Sequence, residues 1–252
     1  MFNLLSKFSL AIAAFALVFS MGSCKKDEED TATDTDLSMH LHYKVGTEDF
    51  AYDQVYTIDG VAVKFTLAQF YVSGINIMND DGEMHSFDDL FLLAKPSQMD
   101  YALGTVPASF GDHLHMLNFN VGVDSVTNSQ TEADFTSRDA NDPLAAQNPG
   151  MHWSWNSGYI FVKIEGEVDT DGDGTPDTAA NWHIGKNSLL REVSLMAHQD
   201  MEDETATVEV ELDLATVLTN TDLANDYSTH TMNNMPLATK VADNMVTAFG
   251  VE

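Results

Sequence analysis

The chain has 252 residues, 44% of them hydrophobic, with 40 acidic against 11 basic side chains and a formal net charge of −29. That hydrophobic content belongs to a folded domain and excludes disorder throughout. So large an excess of carboxylates excludes nucleic acid as a partner, because little is left to neutralise phosphates, and it draws cations toward the surface.

The N-terminus reads as an export signal. Lys7 supplies a short positive region, and Phe8 to Phe19 form an apolar stretch too short for a stable span. Met21-Gly22-Ser23-Cys24 has the form of a lipobox, with methionine where leucine is commoner, and Cys24 is the only cysteine in the chain. A lone cysteine cannot make an internal disulfide, and at this junction it suits thioether lipidation. Residues 1–23 therefore read as a lipoprotein signal peptide. Residues 24–36 read as a disordered acidic tether, since Lys25 to Asp30 and the following TATDTD lack large apolar side chains. Lysine followed by acidic residues after the lipidated cysteine resembles the surface-export signal of some bacterial lipoproteins, with an ordinary acidic linker as the alternative. The expected location is the outer membrane, held by lipid and facing the periplasm or the cell surface.

Residues 37–252 are long enough for one domain with its own core. Leu37 to Val45 alternates as a strand, with Leu37, Met39, Leu41 and Tyr43 on one face and Ser38, His40, His42 and Lys44 on the other. After the Asp59-Gly60 turn, Val61 to Met78 is rich in β-branched and aromatic residues and predicts two strand segments. Asp80-Asp81-Gly82 is another turn. Further strands are predicted at Phe87 to Leu93, His113 to Val123, Tyr159 to Val168, Leu189 to Met196 and Thr205 to Leu214. In the last, Val208, Val210 and Leu212 alternate with Glu209, Glu211 and Asp213. Pro236 to Phe249 predicts a helix, with Leu237, Val241, Met245 and Ala248 on one face and Gly250 as its stop. Many short strands and a single convincing helix predict an all-β fold, an antiparallel β-sandwich-like domain with a C-terminal helix.

Three features carry metal chemistry. The first is the histidines: His40-Leu41-His42 and His113-Leu114-His115 each place two imidazoles on one face of a predicted strand, a start for copper, zinc or nickel. Met232 and Met235 also lie close to His230, and thioether with imidazole favours Cu(I). The second is Asp169-Thr170-Asp171-Gly172-Asp173-Gly174-Thr175-Pro176-Asp177. It opens like a calcium loop, with oxygen ligands at alternate positions, but lacks the EF-hand's Glu, since Ala180 stands at that place. Its candidate calcium ligands are Asp169, Asp171, Asp173 and Asp177; the alternative is an acidic hairpin loop. The third is the segment Asn148 to Phe161, NPGMHWSWNSGYIF, which on its own predicts a packed aromatic ridge.

Several stretches resemble the MbnP-like family of copper-associated extracytoplasmic proteins. They are Phe70-Tyr71-Val72-Ser73-Gly74-Ile75, Val121-Gly122-Val123-Asp124-Ser125 with Asn128, Asp142-Pro143-Leu144, Gly150-Met151-His152-Trp153-Ser154-Trp155, Gly158-Tyr159, Trp182-His183-Ile184-Gly185 and Leu189-Leu190-Arg191. The resemblance implies a β-rich fold and a mononuclear copper site of histidines plus a kynurenine, made from tryptophan by a partner di-haem enzyme. It marks Trp153 or Trp155 for that oxidation, puts His183 at the family's His-x-Gly position, and sets His40 and His42 where some relatives carry histidine. Intact indole offers only an N–H donor, whereas kynurenine would add an amine and a carbonyl. Met151 is a candidate soft ligand.

The expected function is an extracytoplasmic copper-binding lipoprotein for acquisition, buffering or delivery. The alternative is a calcium-stabilised surface module for interaction or structure, without copper. With no Gly-x-Ser-x-Gly element, phosphate loop or haem-attachment motif in the sequence, no enzymatic activity is expected.

Overall fold

A computed structural model describes residues 33–154 and 157–252. The segment expected to be a signal peptide, Cys24 and Trp155 lie outside the described residues, as does the part of the expected tether before residue 33. In chain order the first strands are β1 (Thr35–Val45), β2 (Glu48–Asp49), β3 (Val55–Ile58), β4 (Val61–Asn79) and β5 (Met84–Ser86). Next come β6 (Leu92–Ala94), β7 (Asp100–Val106), β8 (His113–Val121), the short helix α1 (Glu132–Thr136), β9 (His152–Ser154) and β10 (Gly158–Val168). The chain continues through β11 (Thr178–Gly185), β12 (Arg191–Asp200) and β13 (Thr205–Asp213) to α2 (Leu214–Leu218), β14 (Ser228–Thr229), α3 (Met235–Ala248) and β15 (Phe249–Val251).

The strands form two sheets. One runs β15-β13-β1-β2 with β7 also on β1; the other runs β12-β8-β4-β10-β11-β14, with β3, β5 and β6 on β4 and β9 on β10. Most pairs are antiparallel, but β1 and β13 lie parallel from Asp36↔Thr205 to Lys44↔Asp213. Strands so far apart in sequence are free of the tight hairpin that forces neighbours to run antiparallel. The alternating faces read from sequence are the buried ones: Leu37, Met39, Leu41 and Tyr43 of β1 and Val208, Val210 and Leu212 of β13 enter one core with Val63, Phe65, Leu117, Phe119, Trp182 and Ile184 of the other sheet. Each fully buried side chain of this kind contributes roughly 1.5–3 kcal/mol relative to exposure. The result is the expected sandwich-like all-β domain.

Several boundaries differ from the sequence reading: of the strand expected at Phe87 to Leu93 only Leu92–Ala94 pairs, as β6, the strand expected from Leu189 starts at Arg191, and three further differences have a visible cause. Order begins before residue 37, because the Thr35 hydroxyl is buried and donates to the carbonyls of Met201 (3.1 Å) and Asp203 (2.9 Å). The two segments expected between Val61 and Met78 are one long strand that bulges between Ser73 and Asn76, where Gly74 takes a φ of +60°. The final helix buries Leu237, Val241, Met245 and Ala248 as expected and is capped by the Asn234 side chain. It ends at Ala248, and Phe249 and Gly250 belong to β15 rather than to a helix and its stop. Phe249 sets its ring against Phe70 (5.7 Å) and Phe119 (5.1 Å) in the core, while β15 hydrogen-bonds along β13. Burial and ladder bonds outweigh one more helical turn.

A second apolar cluster gathers Tyr71, Val123, Leu144, Met151, Tyr159, Ile160 and Phe161. Tyr71 lies between the core residues Phe70 and Val72 on β4, so it points to the opposite face of the sheet. The excursion between β8 and β10 covers that face, and the candidate site lies beside it.

Candidate metal centre

His183 owes its position to the alternation of β11. Trp182 and Ile184 point into the main core, so His183 faces the other side of the sheet, beside its register partner Lys163 on β10. Glu165 is two residues along β10 from Lys163 and so shares that face. The free edge of β11 is closed by β14, which pairs with Asn181 and Trp182. Beyond β14 the backbone turns at Thr231, where φ is +64°. The Thr231 hydroxyl donates to the His183 carbonyl (2.8 Å) and accepts from the Gly185 N–H (3.0 Å), satisfying two edge groups at once. That turn carries His230 over β11, its N–H donating to Asn233 Oδ1 at 2.7 Å.

The two imidazoles meet with Nδ1 atoms 2.9 Å apart and ring planes at 71°. On its far side His183 Nε2 lies 2.8 Å from Glu165 Oε1, and the Lys163 ammonium is 3.4 Å from the same oxygen. Lys163 also donates to the Gly150 carbonyl at 3.1 Å, which ties the tryptophan segment to the site. Burial holds His183 well below the usual imidazole range, at about 4, against the upward pull of Glu165; His230 and Lys163 push the same way as burial. His183 is therefore neutral at pH 7. With Nε2–H donated to Glu165, its Nδ1 keeps a lone pair that the Nδ1–H of His230 meets; the tautomers follow from these partners. An imidazole oriented by a carboxylate behind it is the arrangement of metal-ligating histidines. The separation of 2.9 Å is close to the ~3 Å between two nitrogens bound at ~2.0–2.1 Å to one ion. The donor set fits copper or zinc.

Trp153 lies against Gly185, two residues along β11 from His183. A Cβ there would meet Trp153 Cζ3 at 2.5 Å and the Tyr159 carbonyl at 2.7 Å, so glycine makes room for the indole. His152 stacks on Phe135 with centroids 4.3 Å apart, and burial lowers its pKa. Tyr71 and Tyr159 donate their hydroxyls to the carbonyls of Pro143 (3.0 Å) and Leu144 (2.9 Å), and the Asn128 side chain accepts from the Tyr159 N–H (2.8 Å). The stretches that carry the family resemblance thus hold one another beside the site. A family model described as MbnP matches residues 34–235. The chain belongs to the MbnP family.

Among solved structures, MbnP from Methylosinus trichosporium is similar to this chain at 16% identity and a TM-score of 0.55. The match covers 83% of this chain and 87% of that one, and at such identity it speaks for the fold. No curated protein matches. Within this MbnP-family domain the residues singled out from sequence part company. His40 and His42 do share a face of β1, but β1 is in the opposite sheet from His183, so the three do not converge. His40 Nδ1 is 2.7 Å from Asp100, which raises its pKa; His42 sits between Glu252 (2.7 Å) and Asp49 (3.2 Å). Met151 is buried in the second apolar cluster.

Among the described residues, Asp169, Asp171 and Asp173 are the one group of three metal-type side chains with ligand atoms all within 4.8 Å. The Asp169 carboxylate already accepts the N–H groups of Gly174 (2.8 Å), Gly172 (2.7 Å) and Asp171 (3.2 Å), which hold it below the usual carboxylate range. Asp177 stands outside this group, near the Thr178 hydroxyl at 3.3 Å. Sequence reasoning missed His230 and Glu165 as partners of His183. His230 carried a signal as an imidazole near methionines, but Met232 points to solvent.

Proposed function

We propose that this MbnP-family chain binds copper outside the cytoplasm, for acquisition, buffering or delivery, through His183 and His230. The observation that carries this reading is the Nδ1-to-Nδ1 approach of 2.9 Å, made by a neutral His183 that Glu165 orients. Imidazole pairs suit copper, and the family resemblance favours it over zinc. Oxidation of Trp153 or Trp155 to kynurenine by a di-haem partner would add an amine and a carbonyl to the donor set. The position of Trp153 on Gly185, along the same strand as His183, supports that part. Lipidation at Cys24 would hold the domain at the outer membrane, where it meets extracellular metal. The role proposed is binding, not catalysis.

The test is copper content and affinity of protein from its native host, compared with the His183→Ala/His230→Ala variant. Loss of copper in the variant is expected; parental affinity in it would sink the reading. Peptide mass spectrometry over Trp153 and Trp155 reads the second part, since conversion to kynurenine removes one carbon and adds one oxygen. A second reading, a calcium-braced surface module, is favoured by the gathering of Asp169, Asp171 and Asp173. A calcium-dependent rise in melting temperature with no response to copper would select it.

A further inference from the structure

Four side chains from elements other than that of His183 gather at the outer edge of the larger sheet. His113 and His115 stand two apart on β8, and Asp80 follows β4 in the turn to β5. The Asp80 carboxylate lies between the two rings, Oδ2 at 3.0 Å from His113 Nδ1 and Oδ1 at 3.1 Å from His115 Nδ1. Both Nδ1 atoms are shielded from solvent, and neither has a hydrogen bond of acceptable direction. Two buried ring nitrogens thus face a carboxylate at the separation found between ligands of one ion, without the alignment of a hydrogen bond.

His198 completes the group. Its ring is 4.7 Å from that of His115, edge-on, and 5.8 Å from that of His113. It reaches them because β12 bulges between Met196 and Gln199, where it pairs with β8. His198 takes a φ of +47° there, a left-handed conformation that is uncommon for a side-chain-bearing residue. A bulge on an edge strand re-aims a side chain, and this one turns an imidazole onto two others. The Asp80 turn is also braced: the buried Asn79 side chain accepts the N–H groups of Asp81 (3.0 Å) and Glu83 (2.9 Å).

We propose that Asp80, His113, His115 and His198 form a second metal site, for a borderline divalent cation such as Zn2+, independent of His183 and His230. Three imidazoles and one carboxylate, with no sulfur, are the donor set of Zn2+, Ni2+ or Cu2+ rather than of Cu+ or Ca2+. As they stand, no three of these four side chains bring their ligand atoms within 4.8 Å of one another, so binding must draw the rings, the exposed His198 among them, inward around the ion. The bound ion would cross-link the β4–β5 turn, β8 and the edge strand β12.

The test uses the full chain carrying His183→Ala/His230→Ala, stripped of metal and kept in excess Ca2+ to occupy the acidic loop. Co2+ is titrated by its visible absorption, and Zn2+ by calorimetry. One equivalent is expected, with a melting temperature that climbs with Zn2+ concentration. Adding His198→Asn keeps a residue tolerant of positive φ while removing the ring, and should weaken binding by about tenfold or more. His113→Asn/His115→Asn should abolish it. Failure of the background protein to bind Co2+, or equal binding by His198→Asn and His113→Asn/His115→Asn, overturns the proposal. Neither outcome bears on copper at His183.

Discussion

Replacing Gly185 by alanine tests the join between the tryptophan segment and β11. The added Cβ would sit 2.5 Å from Trp153 Cζ3, 2.9 Å from Cη2 and 2.7 Å from the Tyr159 carbonyl oxygen. Carbon atoms rest at ~3.5–4.0 Å, so the indole must retreat by about 1 Å. The carbonyl belongs to a paired strand and cannot move independently. Overpacking of this kind costs about 1–3 kcal/mol, which in a domain of this size lowers the melting temperature by about 2–4 °C per kcal/mol. Gly150 is the control. It precedes the same segment, a Cβ on it would meet nothing within 4 Å, and its φ is not positive, so Gly150→Ala should stay within about 0.5 kcal/mol of the parent. Calorimetric melting reads stability, and tryptophan emission reads the displacement of the indole. A Gly185→Ala protein that melts with the parent, its emission unchanged, would refute the placement of Trp153.

Glu165→Gln keeps the shape beside His183 but removes the charge that makes the imidazole a stronger ligand. Copper affinity, read by competition with a chelator, should fall by about 10–100-fold, and an unchanged value would separate Glu165 from the site. His40→Ala/His42→Ala should leave that affinity unaltered, because those rings are engaged with carboxylates on the other sheet. The depressed pKa of His183 also sets a pH dependence. Folded His183 resists protonation until about 4, whereas the unfolded ring takes a proton near 6.5, so this stability is present above 6.5 and is lost as pH falls toward 4. The loss, at most about 3 kcal/mol, should appear in urea unfolding across that window and be absent from His183→Gln; identical slopes for the two proteins would count against the burial of a neutral ring.

Elements with strict local periodicity were legible from sequence. β1 and β13 alternate cleanly, and the apolar face of α3 is the one it buries. The end of α3 was not, because Phe249 is decided by partners as distant as Phe70 and Phe119. The site divides in the same way. The face shared by His40 and His42 follows from a two-residue period, but which sheet β1 joins depends on pairing with β13, far along the chain. His183 stood out through a local motif. Its partner His230 arrives from a turn 47 residues later, held by Thr231 in a backbone conformation that no local propensity announces. His198 was hidden for a similar reason, since a bulge between two non-neighbouring strands aims it.

The parallel pairing of β1 with β13 bears on mechanics. A load applied at Thr35 along the axis of β1 is borne first by that strand. That strand is flanked by β13 on one side and by β7 and β2 on the other. To yield, it must slide past both flanks, breaking many ladder bonds together instead of peeling them one at a time. A domain pulled by its N-terminal end is thus loaded in shear, the direction in which a sheet resists rupture best.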